Sequence, residues 1–417
     1  MIKTEKLAHA TALFQVYREW LRQRGYWWLF TRLIKRTAMS AGWLLLLPIT
    51  LVLHATGFRR ITVITDRIGH LAAEIDCFLK ERALGRLPKR HWFVLAPPGR
   101  TANRHLIEYW RAHVTIVESP LLCRVLGVMS WWWLMKLDVS HYVVDVSRSA
   151  AYYAVSAEWG DRKPVLELWQ ADRARGWQML ESMGVPSGSW FVCLHAREGG
   201  YSPADEFVHA HRNSDVLKLI PAIELITSRG GWCIRMGDPS TKPLPPMDRV
   251  VDYAHHPARS DWMDIFLCAS CRFFVGNSSG LCLVGVVFGI PCALTNMIPV
   301  STLGCFARDI SIPKLLQRRA GGHYLPFKEI LNSPLADYRL AKLYRDAGIE
   351  VEENSAEDIR DLVAEMLDRL QGTFVETGED RELQRRYMSL FRPGHYAYAA
   401  ASRVGAAFLR KYKNLLL

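Results

Sequence analysis

Along the second half of the chain, short apolar runs alternate with stretches whose apolar positions recur every three or four residues. The first pattern predicts buried strands, the second amphipathic helices. The runs fall at residues 190–194, 232–236, 249–252, 272–275 and 291–295. Between the first two, Val216, Leu219, Ile220, Ile223 and Ile226 keep helical spacing behind a cap at Asn213-Ser214, and Gly230-Gly231 stops the helix. Ser260 is expected to cap a helix over 261–269, and Gly289 with Pro291 to end one over 281–288. Repeated βαβ units of this kind predict a doubly wound parallel sheet. Ser355 caps a further amphipathic helix, which accounts for Glu357 and Asp358 in its first turn, and residues 396–417 read as a helical, basic tail.

The first half repeats the rhythm, with strands expected at 61–65, 91–96 and 113–117 and helices at 71–80 and 106–112. Residues 119–146 are apolar and contain Trp131-Trp132-Trp133; they suit a lipid- or acceptor-facing patch or a core, and core is the reading adopted. Residues 148–188 read as a linker with a helix at 166–183, closed by Gly184, Pro186, Ser187 and Gly188. The expected division is a membrane-associating segment 1–60, a first Rossmann-like domain 61–184, a second Rossmann-like domain 185–375 and a helical tail 376–417.

Charge and composition change this picture mainly at the N-terminus. The chain has 417 residues, 50% of them hydrophobic, which is enough for two full-sized cores. Of its net charge of +12, a balance of +8 lies in residues 1–60, so the rest is nearly neutral and does not resemble a nucleic-acid binder. Residues 38–58 carry no Asp, Glu, Lys or Arg, and Lys35-Arg36 and Arg59-Arg60 bracket them. The segment is short for a span and Pro48 interrupts it. A monotopic or re-entrant anchor on an anionic cytoplasmic membrane face is preferred to a crossing helix or a buried one. Nine cysteines form no framework, and their odd count points to a reducing compartment. Cys268-Ala-Ser-Cys271 has no second pair at zinc-finger spacing, and reads as a helix end running into a buried strand.

Candidate chemistry gathers where strands turn into helices. Gly276-Asn277-Ser278-Ser279-Gly280 follows a strand and opens a helix. Its glycines allow close backbone approach, a helix start offers N–H groups to an anion, and Ser278 and Ser279 offer hydroxyls or simply cap the helix. Arg197, three residues past a strand end, has the fork geometry for two phosphate oxygens; a salt bridge to Glu198 or Asp205 is the plainer alternative. His195 suits either a ligand contact or a sheet-edge bond, and Asp238 either a sugar hydroxyl or a turn. His70, in Arg67-Ile68-Gly69-His70 before a helix, is a candidate general base. There is no Asp-X-Asp, Walker A, GxGxxG or GxSxG motif, and the histidine pairs lack partners at metal-ligand spacing, so no metal and no cofactor is expected.

Two Rossmann-like domains with these turns resemble the GT-B glycosyltransferases. Arg67 to His70, Arg212-Asn213, Ile234 to Asp238, Val251 to Ala254 and Phe274 to Gly280 are similar to a bacterial glycosyltransferase family of surface-polysaccharide biosynthesis. His195-X-Arg197 and the Ser-Ser-Gly turn resemble fucosyltransferase motifs that hold a GDP-sugar diphosphate, although Glu198-Gly199 stand where a second arginine would. The resemblance implies a metal-independent transfer from a nucleotide-sugar to a lipid-linked or surface-glycan acceptor. It implies that Arg197, Asp238, Asn277, Ser278, Ser279 and Gly280 hold the donor, with Arg197 steadying the leaving diphosphate and His70 as the base. A nucleotide-sugar epimerase of the same architecture and an inactive glycan-binding scaffold are the alternatives.

Overall fold

The computed structural model describes residues 2–138, 150–201, 203 and 206–416. Contacts divide the chain into two compact units, Met1–His141 and Tyr142–Leu417, each an α/β unit with a parallel sheet.

In the first unit the strands β1 (Phe58–Thr62), β2 (His91–Leu95), β3 (Thr115–Val117) and β4 (Lys136–Asp138) pair in the order β3-β2-β1-β4. β1 starts earlier than its β-branched run suggests, because Phe58 to Ile61 pair with His91 to Val94. The helix Ile68–Ala83 packs Leu71, Ile75 and Phe78 fully out of solvent, each side chain contributing about 1.5–3 kcal/mol. The same helix buries charge: Lys80 Nζ meets Asp76 Oδ2 at 2.6 Å, both out of water. Burial pushes the Asp76 carboxyl up, against the pull of Lys80. Asn103 caps the helix Arg104–Arg111, its Oδ1 accepting from Leu106 N at 2.8 Å.

The N-terminal segment is a helix, Ile2–Leu45, broken at Gly25 (φ 72°, ψ 169°), followed by the helix Leu47–Ala55. Segments Gly25–Leu45 and Leu47–Ala55 meet at 65°, and among the described residues no single helix is long and apolar enough to cross a membrane. The apolar stretch after β3 departs from the expected core. Met129 and Met135 are buried, but Leu121, Leu122, Trp132 and Trp133 of the same stretch are exposed. An apolar run shows only that a segment avoids polar residues, and the helix Pro120–Met129 buries just one side of itself. Residues 139–149, which include the end of that stretch and the start of the expected linker, lie outside the described residues.

The second unit carries β5 (Phe191–Leu194), β6 (Trp232–Arg235), β7 (Val250–Val251), β8 (Phe274–Gly276), β9 (Cys292–Met297), β10 (Ile310–Pro313) and, after the antiparallel pair β11 (Leu315–Arg318) and β12 (Ile349–Glu352), β13 (Arg403–Val404). The seven-stranded sheet runs β13-β10-β9-β8-β5-β6-β7, all parallel. The unit begins well before residue 185. Tyr153 lies in its core, exchanging hydrogen bonds with the Leu303 backbone at 2.9 and 3.0 Å. Gly176 lets the helix Gln170–Ser182 sit against the Phe266 ring, where a Cβ would come within 2.2 Å.

Two further expectations change. Asp215, not Asn213 or Ser214, caps the turn Val216–Leu219 that leads into the helix Ile220–Ser228. Ser260 stands at the start of the helix Asp261–Ser270, but its hydroxyl donates to Ala258 O. The Ser355 cap is present as a full capping box with Asp358, opening the helix Ala356–Gln371, a feature worth about 1 kcal/mol. The tail is more than helical: β13 extends the sheet, and Phe408, Leu409 and Leu415 of the segment beyond it join the core.

Candidate functional site

The second unit's chain lays β5, β6 and β7 outward on one side, then returns to β8 beside β5 and builds β9, β10 and β13 on the other. The switch point therefore lies between the carboxyl ends of β5 and β8, the place where such sheets bind ligands. His195 and Arg197 leave β5 there, and Asn277 to Gly280 leave β8. The two candidate segments read from the sequence are brought together.

Their contacts revise what each side chain does. His195 Nδ1 lies 3.2 Å from Met236 O, which can only accept, so Nδ1 carries the proton. Nε2 is then an acceptor, and Ser279 Oγ donates to it at 3.0 Å. Burial, joined by the charges of Arg235 and Arg197 and opposed by Met236 O, pushes the His195 imidazole down to about 4. Ser278 Oγ donates to Ile298 O and accepts from Ile298 N, both at 2.7 Å. A hydroxyl has one proton, so neither serine has a hydroxyl donor left for a phosphate, contrary to expectation. Nor is either a simple helix cap. They pin the turn to β5 and to the segment after β9. What the turn can present is backbone: Gly280 N and Leu281 N stand ahead of the short helix Cys282–Val287, whose own Leu283 N and Val284 N already donate to Gly280 O and Leu281 O. Asn277 is buried, donating to Ser214 Oγ at 2.8 Å.

Arg197 does not pair with Glu198, whose Oε2 accepts from Lys242 N at 2.6 Å. Asp205 lies outside the described residues. The Arg197 guanidinium donates to Asn213 Oδ1 and to His209 O, and lies 3.8 Å from the Glu206 carboxylate. Two cations were missed by considering residues singly. Arg212 donates from Nε to Ser278 O at 2.9 Å, and from Nη2 to the same oxygen. Lys314, 2% exposed at the end of β10, donates to Asn213 O at 2.5 Å. Burial, with Lys218 and Arg197 acting the same way and Glu353 against, lowers its amine to about 8. These groups also act on buried His211. Burial first, then Arg212, His209, Lys314 and Arg197, push its imidazole down to about 2. The signal for Arg212 lay in the Arg212-Asn213 pair; Lys314 had none, because only the sheet brings it near.

Asp238 takes the turn role, Oδ1 accepting from Ser240 N at 3.0 Å. Burial raises its carboxyl, but the Ser240 N–H and hydroxyl and Arg259 together bring it below the usual range. Arg235 is structural, buried between Asp252 Oδ1 at 3.2 Å and Lys242 O at 2.8 Å.

In the first unit β1 and β4 are neighbours across the equivalent switch, with β2 and β3 laid out on the far side of β1. His70 stands in the first turn of the helix that follows β1. Its Nδ1 lies 2.7 Å from Glu74 Oε1, and Glu74 Oε2 accepts from Ile64 N at 3.1 Å. A carboxylate fixes the proton on Nδ1 and leaves Nε2 bare, while the side chain stays 19% exposed. A histidine oriented this way can take a proton from a hydroxyl. Glu74 was overlooked, although its spacing of four residues places it beside His70 on one helix face.

Among the described residues no three His, Cys, Asp or Glu side chains gather as a metal-ligand set. All nine cysteines are free. No family model matches the chain, and no curated protein matches it. Among solved structures it is similar to a family 9 glycosyl transferase from Veillonella parvula DSM 2008, with 10% identity, a TM-score of 0.44, and coverage of 75% of this chain and 98% of that one. It is also similar to the ADP-heptose lps heptosyltransferase II of E. coli, with 13% identity, a TM-score of 0.32, and coverage of 57% and 84%.

Proposed function

We propose that the chain is a metal-independent glycosyltransferase of the GT-B type, moving a sugar from a nucleotide-sugar to a lipid-linked or surface-glycan acceptor. The observation that carries this reading is the switch point of the second unit. There Arg212 donates to Ser278 O of the turn, and Arg197 and Lys314 converge on the adjacent Asn213, a gathering of positive charge that suits a diphosphate. Arg197 and the N–H groups of Gly280 and Leu281 hold the donor diphosphate. Asn277, Ser278 and Ser279 shape the turn, and Asp238 shapes the neighbouring one. In the transfer, the bond from the anomeric carbon to the diphosphate oxygen breaks, and the leaving group keeps the electron pair. The acceptor oxygen bonds the same carbon and its proton passes to His70 Nε2. Positive charge around the turn stabilises the leaving diphosphate. The basic, apolar N-terminal segment keeps the enzyme at the cytoplasmic membrane face beside its acceptor.

Thermal unfolding with UDP, GDP, CMP and dTDP tests donor binding. One nucleotide at a hundredfold excess over its Kd should add about 2.7 kcal/mol of stability. R197A should abolish that shift; an unchanged shift removes Arg197 from the site. No shift with any of the four overturns the reading.

A further inference from the structure

The exposed large apolar side chains of the first unit are not scattered. Apart from Phe58 in β1, they fall on the N-terminal helices and on the helix Pro120–Met129 with the Trp132-Trp133 turn after it. These elements are joined. Trp131 Nε1 donates to Ser40 Oγ at 3.3 Å, and the Trp43 and Trp132 rings meet edge-on at 6.4 Å. Gly42 sits so close to Val128 that a Cβ would come within 3.1 Å. Further along, Leu46 and Leu53 pack on the cluster of Phe93, Leu95, Met129 and Met135, and His54 Nδ1 donates to Leu134 O at 2.6 Å. The apolar segment is therefore held against the body of its unit at both ends, from Ser40 to His54. A crossing helix would have to leave that body. This one lies along it and turns Leu45 (82% exposed), Ile49 and Val52 outward, in company with Leu121 (67%) and Trp133 (76%).

Charge indicates what covers this face. Residues 20–65 contain no Asp or Glu but seven Lys or Arg, and residues 119–137 contain no acid but Arg124 and Lys136. Arg32, Lys35, Arg36 and Arg124 are exposed beside the apolar residues. An apolar face whose own two segments carry only positive charge, with tryptophan among its exposed residues, is complementary to the headgroup layer of an anionic bilayer.

We infer that the helix Pro120–Met129 and the Trp132-Trp133 turn form, with the N-terminal helices, a single monotopic surface that seats in an anionic lipid headgroup layer. The inference rests on the membrane-face part of the proposed function and extends it from one segment to two. It makes membrane binding a property of the folded unit, not of a detachable leader.

Flotation of the full-length protein with vesicles of phosphatidylcholine, with and without phosphatidylglycerol, tests this. Wild type should bind the phosphatidylglycerol vesicles about tenfold or more tightly than phosphatidylcholine alone. The L121S/L122S/W133S variant should lose about tenfold in vesicle affinity with its urea midpoint unchanged, and L45S/I49S/V52S should lose as much. If L121S/L122S/W133S binds like wild type while L45S/I49S/V52S does not, the inference falls and the N-terminal anchor stands. If wild type binds neither vesicle, both fall. A dimer in sedimentation velocity that L121S/L122S/W133S dissociates, with no vesicle binding, assigns the face to a second copy and overturns the inference.

Discussion

His70 and His195 occupy similar places, each just past the carboxyl end of a strand at its sheet's switch point. Each has the proton fixed on Nδ1. What faces the two rings separates them. His70 Nδ1 faces the buried carboxylate of Glu74 and its Nε2 is bare. His195 Nδ1 faces a carbonyl, its Nε2 is filled by Ser279, and Arg197 and Arg235 add to the burial that drives it down to about 4. In the proposed transfer the first ring is the one that accepts a proton. The other stays neutral at working pH and works as a pin between two loops. Residue type and strand-end position together do not distinguish a base from a brace; the charge behind the ring does.

The largest effect expected from this contrast is on turnover. H70A should lower kcat by about 10²–10⁴ and leave the nucleotide-induced thermal shift as in wild type. Unchanged kcat would reduce His70 to a residue of the helix start. E74Q comes next. It keeps an acceptor for Nδ1–H but loses the charge, and a charge-assisted hydrogen bond of about 1.5–3 kcal/mol corresponds to roughly ten- to hundredfold in kcat. The amide nitrogen cannot accept, so either His70 or Ile64 N loses a partner and the melting point should fall too. A positioning role predicts that E74Q changes the pH profile of kcat; a purely structural one predicts lower stability with the profile intact.

The contrast was only half legible in the sequence. Strands such as Phe191–Leu194 are unbroken apolar runs closed by glycine or charge, so the sheet and the two turns at its edge could be read directly. The partners could not. Ile298 saturates Ser278 from 20 residues away and Ser279 reaches His195 across 84, distances that only the sheet order closes. Glu74 was within reach by helical spacing. However, the helix Ile68–Ala83 is buried nearly all round, so its charges did not stand out as a polar face. β13 is two residues long and carries no pattern to read. The tryptophan turn failed for the opposite reason: its pattern was plain, but composition does not tell an inner apolar face from an outer one.

A smaller effect tests the brace. H195F removes both hydrogen bonds, which should cost about 1–3 kcal/mol of stability and loosen the serine turn. The acid limb of kcat should not move, since His195 is already neutral above about pH 4. If H195F shifts that limb and H70A does not, the two roles are reversed.

His211 offers the finest test, because it carries the His195 condition further. Its imidazole titrates near 2 in the folded chain, against about 6.5 when unfolded. Between those values the unfolded state binds the extra proton, so this contribution to stability is complete above pH 6.5 and is lost as pH falls. His195, pushed down to about 4, acts in the same sense, and Asp264 and Asp309 act in the opposite one. Burial lifts both to about 6, so between roughly pH 3.9 and that value the native state holds the proton and gains as pH falls. Wild type should therefore show a shallow net dependence, and only a difference between variants isolates the histidine. The ring lies tilted against that of Tyr344, their centroids 5.4 Å apart, a contact that phenylalanine can keep. Relative to wild type, H211F should gain about 2 kcal/mol in unfolding free energy between pH 7 and pH 5, read from urea midpoints at both. Parallel responses of the two proteins would mean that His211 takes up its proton without unfolding, and that burial, with the charges of Arg212, Lys314 and Arg197, holds it neutral less firmly than its position implies.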